Sequence, residues 1–297
     1  MSQYICVDIG GTSIKHGVLD ENAIIKECNQ TKTEAWLGGA AVLDKVKTIG
    51  KQYKEQYENI EGICISTAGM VDPEEGKIVF AGELMPGYTG TCIKKELEKA
   101  LEMPCEVEND VNCAGLAEYV SGSAKESHIM FCATVGTGIG GCAIVNGRVF
   151  HGASNSACEV GYIPMGDSDF ETLGASSILV RKVAEKKIEP LDMWDGKKIF
   201  ALAEKGDKVC ISAIKEMCDV LGKGLATICY VLNPDTIVLG GGIMVQKKIL
   251  ENEIRDSLNR YLRPILAEHL QVCFAEYGNE AGMVGALYNF QNKYGRK

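Results

Sequence analysis

No stretch of eighteen apolar residues occurs in the sequence, so no helix in it is expected to span a membrane. A secretory leader is also missing, because Met1–Val7 has no basic flank and runs directly into the polar Asp8–Gly11. No stretch is dense in Lys or Arg, and 31 basic residues face 40 acidic ones for a net charge of −9. That balance excludes the basic footprint of a nucleic-acid binder. The P-loop pattern G-x-x-x-x-G-K-[ST] is absent. So are C-x-C and C-x-x-C pairs, although 13 cysteines are present, which argues against a zinc or disulfide framework. Most of the cysteines stand in apolar runs such as Ile63-Cys64-Ile65 and Phe131-Cys132-Ala133, where a reduced thiol packs as a small hydrophobe. Thirteen buried free thiols and a cytoplasmic setting are the expectation.

What is present is ordinary for a globular enzyme-sized chain: 297 residues, 46% apolar and 24% charged, with 34 Gly and 7 Pro. Disorder is excluded, and the length suits two domains. Short apolar runs at Tyr4–Asp8, Ser13–Leu19 and Ala23–Cys28 read as a strand meander, followed by a helix over Ala40–Tyr57. Strands at Ile60–Ser66, Lys77–Phe80 and Cys105–Glu108 alternate with helices at Thr91–Leu101 and Val111–Val120. In the second half, strands at Ile129–Val135, Cys142–Val145, Arg148–Phe150, Thr236–Leu239 and Gln271–Ala275 are expected. They alternate with helices at Ile178–Lys186, Ile211–Leu232, Leu250–Tyr261 and Ala281–Asn292. The fold class is α/β.

Val7–Asn22 aligns without a gap on Ala133–Arg148, and Gly10 then matches Gly136. Each copy reads strand, Gly-rich turn, strand, turn, and one copy opens each half of the chain. Duplication is therefore expected.

Glycine turns bring backbone close to a ligand, and successive N–H groups there cradle phosphate. Asp8–Lys15 and Val135–Gly141 are two such turns, suited to the phosphates of one nucleotide. Gly136–Gly141 is not a Rossmann fingerprint, because no helix follows it. Asp8 reads either as a turn cap or as a carboxylate holding Mg²⁺ through water. Glu108-Asn109-Asp110 ends a strand and opens a helix, where open α/β sheets place ligand sites. Asp110 reads there as an N-cap or, in the alternative, as a general base beside a hydroxyl-binding Asn109. Glu159 stands after the small polar stretch Gly152–Ser156 and is either a sugar-hydroxyl acceptor or a solvated loop residue. His16, His128, His151 and His269 lack metal-like spacing and are expected at the surface or in packing.

These motifs in this order resemble the ROK family of sugar kinases and sugar-responsive repressors: Asp8–Thr12, Met85–Tyr88, Glu108–Asn112, Thr134–Gly141, Glu159–Tyr162 and Leu239–Ile243. The resemblance runs along nearly the whole chain. It implies the actin-like, hexokinase-type ATPase fold with two lobes and duplicated phosphate hairpins. A small lobe of 1–112 plus 285–297 and a large lobe of 113–284 follow, with the active site in the cleft that sugar binding closes. By resemblance Asp110 is the catalytic base for the 6-hydroxyl of a hexose. Asn109, Glu159, Tyr162, Gly69 and Glu171 face the sugar. Gly10, Gly11, Thr12, Lys15, Thr137 and Gly138 bind the phosphates of ATP, Asp8 associates with Mg²⁺, and Gly240, Gly241 and Gly242 flank adenosine. A homodimer and a small-molecule sugar partner are implied. A repressor would carry a helix-turn-helix domain before the first hairpin, for which Tyr4 leaves no room.

Two departures narrow the resemblance. Most of the family has a His where Tyr162 stands, and a cysteine-rich zinc loop where this chain has Pro164–Glu171. No zinc is expected. A Tyr in the Glu159–Tyr162 motif with a zinc-free loop is similar to bacterial β-glucoside kinases, with N-acetylmannosamine kinases and glucokinases as neighbouring alternatives. A non-catalytic sugar-sensing module is the alternative of another class.

Overall fold

The computed structural model describes residues 2–295 and divides into two compact units. The first runs to Gly122 and takes in 149–157 and the chain from Asn279 onward; the second holds Ser123–Arg148 and Cys158–Gly278. Met1, Arg296 and Lys297, which the expected small lobe included, lie outside the described residues.

In the first unit, β1 (Gln3–Ile9), β2 (Ser13–Asp20) and β3 (Ile25–Lys32) precede α1 (Gly39–Gln56). After them come β4 (Ile60–Thr67), β5 (Met70–Asp72), β6 (Lys77–Phe80), α2 (Ile93–Leu101), β7 (Cys105–Asn109) and α3 (Asp110–Val120). The main sheet has the order β3-β2-β1-β4-β7, with an antiparallel meander on one side and parallel β1, β4 and β7 on the other. One face sends Ile5, Val7, Ile9, Ile63, Ile65 and Val107 into a core with Val46 and Leu97. The opposite face buries Tyr4, Cys6 and Cys64. Burial on both faces is why these strands read as continuous apolar runs.

The same alternation places chemistry. Asp8 is register partner to Lys15 on one side and to Ser66 on the other, and Ser66 is partner to Glu108. Paired residues share a face, so Lys15, Asp8, Ser66 and Glu108 form one polar row across four strands.

The second unit begins with β8 (Ile129–Val135), β9 (Ile139–Val145) and β10 (Arg148–Val149). A small hairpin of β11 (Pro164–Met165) and β12 (Ser168–Asp169) leads into α4 (Phe170–Gly174), α5 (Ser176–Lys187), α6 (Gly196–Glu204) and α7 (Lys208–Leu232). Then come β13 (Thr236–Gly240), α8 (Lys247–Tyr261), α9 (Pro264–Ala267) and β14 (Gln271–Phe274), before α10 (Ala281–Lys293) returns to the first unit. The sheet order β10-β9-β8-β13-β14 repeats the first sheet position for position. The gapless alignment holds along the first strand and is one residue out of register along the second. Ile9 pairs with Ile14 but Val135 pairs with Ile139, so the second turn is one residue shorter.

α3 stays with the first unit because it packs on α10, where a Cβ on Gly285 would run into the Cys113 carbonyl oxygen. A boundary at 112 would cut through this helix. All 13 cysteines are free, but not all are buried: Cys92, Cys158 and Cys273 are half-buried and Cys28 is exposed. Cys28 lies on β3, the edge strand of its sheet, whose residues from Cys28 to Lys32 are all exposed. Among the described residues no helix is long and apolar enough to cross a membrane.

Candidate functional site

At the carboxyl end of β7 the chain turns directly into α3, and Asn109 rather than Asp110 is the N-cap. Asn109 Oδ1 accepts the N–H groups of Val111 (2.9 Å) and Asn112 (3.1 Å). Its Nδ2 donates to the carbonyl of Gly69 at 2.9 Å and to Asp110 Oδ1 at 3.0 Å. The Val111 N–H also donates to that Asp110 oxygen, at 3.0 Å. Asp110 is thus the first helical residue, with its carboxylate plane held by two donors. Gly69, with φ +98°, takes a backbone conformation that side chains disfavour, and a Cβ there would press on the Phe80 carbonyl at 2.8 Å. Its role in this geometry is to aim its carbonyl at Asn109.

Asp8 stands two strands away, on β1, with β4 between. Its Oδ1 accepts the hydroxyl proton of the buried Ser66 at 2.7 Å, and Lys15 Nζ is 3.6 Å from Oδ2. The carboxylate lies against the first turn of α10, where a Cβ on Gly282 would come within 2.5 Å of Asp8 Cγ. That bare glycine lets α10 approach the Asp8 carboxylate, whose hard oxygens are donors of the kind a hydrated Mg²⁺ takes. Gly10 closes its turn by donating its N–H to Ser13 at 3.0 Å, and Gly11 and Thr12 form the exposed tip. Thr33 anchors the turn, its hydroxyl donating to the Gly10 carbonyl at 2.6 Å. Ser66, Gly282 and Thr33 escaped the sequence reading, since strand register brings only Ser66 to the motif and contacts between distant segments bring the other two.

In the second unit the corresponding turn is held by the start of α5. Ser176 donates its N–H (2.9 Å) and hydroxyl (2.6 Å) to the Gly136 carbonyl, and the Ser177 hydroxyl donates to Thr137 at 2.7 Å. No side chain caps α5; backbone carbonyls take the N–H groups of Ser176, Ile178 and Leu179, while the positive end of the helix still faces the turn, as suits phosphate. Gly241, at φ +96°, lies so tightly on β8 that a Cβ would meet the Val135 nitrogen at 2.6 Å. Gly242 then lines a cavity of about 540 Å³ with Gly136, Thr137, Ser176, Ser177 and Phe200. Asp195, Gly196 and Lys197, at the N-terminus of α6, complete another wall. Neither this helix nor its cap was expected from sequence. The Asp195 side chain accepts the Lys198 N–H at 2.7 Å, a cap signal that lies between Pro190 and Gly206 and so reads as loop.

The sugar-side candidates of the second unit also come together. Glu159 (φ −69°, ψ 60°) sits at the centre of a tight turn closed by the Val160 N–H donating to the Cys158 carbonyl at 2.7 Å. Cys158 before it has φ +67°, and such strain tends to persist at functional turns. Partial burial raises the Glu159 carboxyl above its ordinary value, and the charge of Glu171 raises it further. Glu171 accepts the Ile139 N–H at 2.8 Å and abuts Gly138 and Gly161. It therefore ties the Glu159 turn to the second hairpin. Tyr162 is 65% exposed. The segment Pro164–Glu171 is built as the β11–β12 hairpin and the first turn of α4, with Asp169 capping at Thr172.

His151 departs from the sequence expectation. Its Nε2 lies 2.7 Å from Oε2 of Glu108, a fully buried carboxylate.

The ROK family model matches residues 4–293. The chain belongs to the ROK family. Its fold is the actin-like ATPase fold, with the doubled hairpin sheet described above. A β-glucoside kinase of Klebsiella pneumoniae is 30% identical to this ROK protein, over 97% of this chain and 95% of that one. A glucokinase of Halalkalibacterium halodurans is 29% identical over 95% and 93% respectively. A solved ROK family glucokinase from Streptomyces griseus, in complex with glucose and AMPPNP, is similar with a TM-score of 0.83. It is 28% identical and covers 97% of this chain and 98% of its own.

Proposed function

We propose that this protein is an ATP-dependent sugar kinase acting on the 6-hydroxyl of a hexose or β-glucoside. The observation that carries the reading is Asp110. It is a carboxylate at a strand end, oriented by Asn109 and Val111, beside a row containing Asp8. Asp110 takes the proton of the attacking hydroxyl while the sugar oxygen bonds to the γ-phosphorus and the bond to ADP breaks. Asn109 and Glu159 hold ring hydroxyls. Gly11, Thr12, Thr137 and Gly138 hold phosphates, with Gly10 and Lys15 shaping the first hairpin. Adenosine occupies the cavity beside Gly240, Gly241 and Gly242. Mg²⁺ held through Asp8 neutralises charge on the phosphates when bound.

The β-glucoside preference rests on Tyr162, whose exposed ring offers an apolar face and a hydroxyl to a second sugar ring. A coupled ADP-release screen against glucose, cellobiose, gentiobiose, N-acetylmannosamine and N-acetylglucosamine tests both levels. The expected result is a kcat/KM for cellobiose at least about tenfold above glucose, roughly 1.4 kcal/mol in transition-state binding. Equal values or an N-acetylhexosamine preference end the glucoside assignment, and no ADP release with any sugar ends the kinase assignment.

A further inference from the structure

His151 sits in the segment 149–157, which belongs to the first unit although the second supplies both neighbouring stretches. The Glu108 side chain it meets is only 1% exposed. The other oxygen of Glu108 is fully engaged as well: Oε1 accepts the Asn109 N–H at 2.8 Å and Asn112 Nδ2 at 2.9 Å. Asn109 and Asn112 flank Asp110. A buried carboxylate is costly unless a cation and hydrogen bonds accompany it, and the His151 ring, once protonated, supplies the cation.

We propose that His151 is a positioning residue for phosphoryl transfer: as an imidazolium it holds Glu108, and Glu108 holds the backbone and side chain on either side of Asp110. The proposal rests on the reading of Asp110 as the base. Three charged groups face His151: Glu108 from β7, Glu74 from the β5–β6 turn and Lys293 from α10. Glu74 and Lys293 pair with each other at 2.5 Å, so each screens the other. Glu108 raises the His151 pKa above its ordinary value of 6.5, against the opposing pull of burial. The pair is therefore intact below that raised value. It weakens as pH rises through it, because the imidazole loses its proton and Glu108 loses its cationic partner.

The test combines pH profiles of kcat and KM with NMR titration of ¹³C-labelled histidines, since the chain has only 4. The wild type should show an alkaline fall in kcat, and one imidazole titrating above 6.5. His151→Gln should remove that resonance, abolish the alkaline fall and lower kcat by about 10- to 100-fold with KM for ATP little changed, the scale of a displaced catalytic group. His151→Lys should restore much of kcat without the alkaline fall, and Glu108→Gln should return the imidazole to its ordinary range. A His151→Gln protein with wild-type kcat and pH profile overturns the proposal, as does an ordinary titration of His151 in the wild type. Asp110→Asn separates the two readings. Its turnover should fall by roughly 10²–10⁴ while the raised His151 titration remains; if kcat stays near normal, the base assignment fails whatever the imidazole does.

Discussion

Asp110 and Glu159 are carboxylates proposed for different work, one on the reacting hydroxyl and one on ring hydroxyls. Asp110→Asn keeps the shape and the helix start while removing the proton acceptor. Turnover should fall by roughly 10²–10⁴, with sugar affinity within about tenfold of wild type, the usual outcome of deleting a general base. Steady-state kinetics with calorimetric sugar binding checks it, and near-normal kcat removes Asp110 from the role. In the proposed role Glu159 accepts ring hydroxyls best as a carboxylate, yet burial and Glu171 hold its pKa up. Sugar affinity should therefore strengthen as pH rises through that raised value, and Glu159→Gln should bind weakly with no such slope. A flat pH profile of wild-type affinity would contradict this.

At the scale of elements, the β7–α3 junction combines two duties in one side chain, and substitution can separate them. Asn109→Ala loses the cap and should cost about 1 kcal/mol of stability. Asn109→Ser keeps a capping oxygen but loses the donors to Gly69 and Asp110 without adding charge, so its Tm should stay near wild type while kcat falls as in the alanine variant. Thermal unfolding alongside kinetics reads both, and parallel loss of Tm in the two variants would show that the amide donors stabilise the fold instead. The strands of the two main sheets, the long helices and the two hairpins were legible in place, with bounds up to four residues off, because alternation and Gly-rich turns are local signals. The cap at Asn109 was read one residue late because cap preference alone does not separate adjacent Asn and Asp. α6 was missed because Pro190, Gly196 and Gly206 read as loop, and its apolar face makes sense only against α5 and α7.

For the whole molecule, assigning the nucleotide to the second unit predicts where binding is felt. Saturating AMPPNP with Mg²⁺ should slow amide exchange at 136–138, 176–180, 195–200 and 242–246, and at the tip formed by Gly11 and Thr12. At about 100 times Kd, ligand linkage adds roughly 2.7 kcal/mol to the stability of what it binds. Protection confined to the first unit would move the nucleotide site elsewhere.

By itself the sequence determined the α/β class, the doubled hairpin, the order of motifs that marks the family and the residues most suited to chemistry. All of these follow from short-range periodicity, turn chemistry and motif order. Only the tertiary structure decided which of those residues meet. The row Lys15–Asp8–Ser66–Glu108 exists because strands β2, β1, β4 and β7 pair in one register, and a shift of one residue would turn the row's members to opposite faces. Gly282 reaches Asp8 and His151 reaches Glu108 only after the chain has returned from far along the sequence. No local propensity encodes such a return. It is set by burying both faces of a sheet, which forces polar groups left at the strand ends to find partners there.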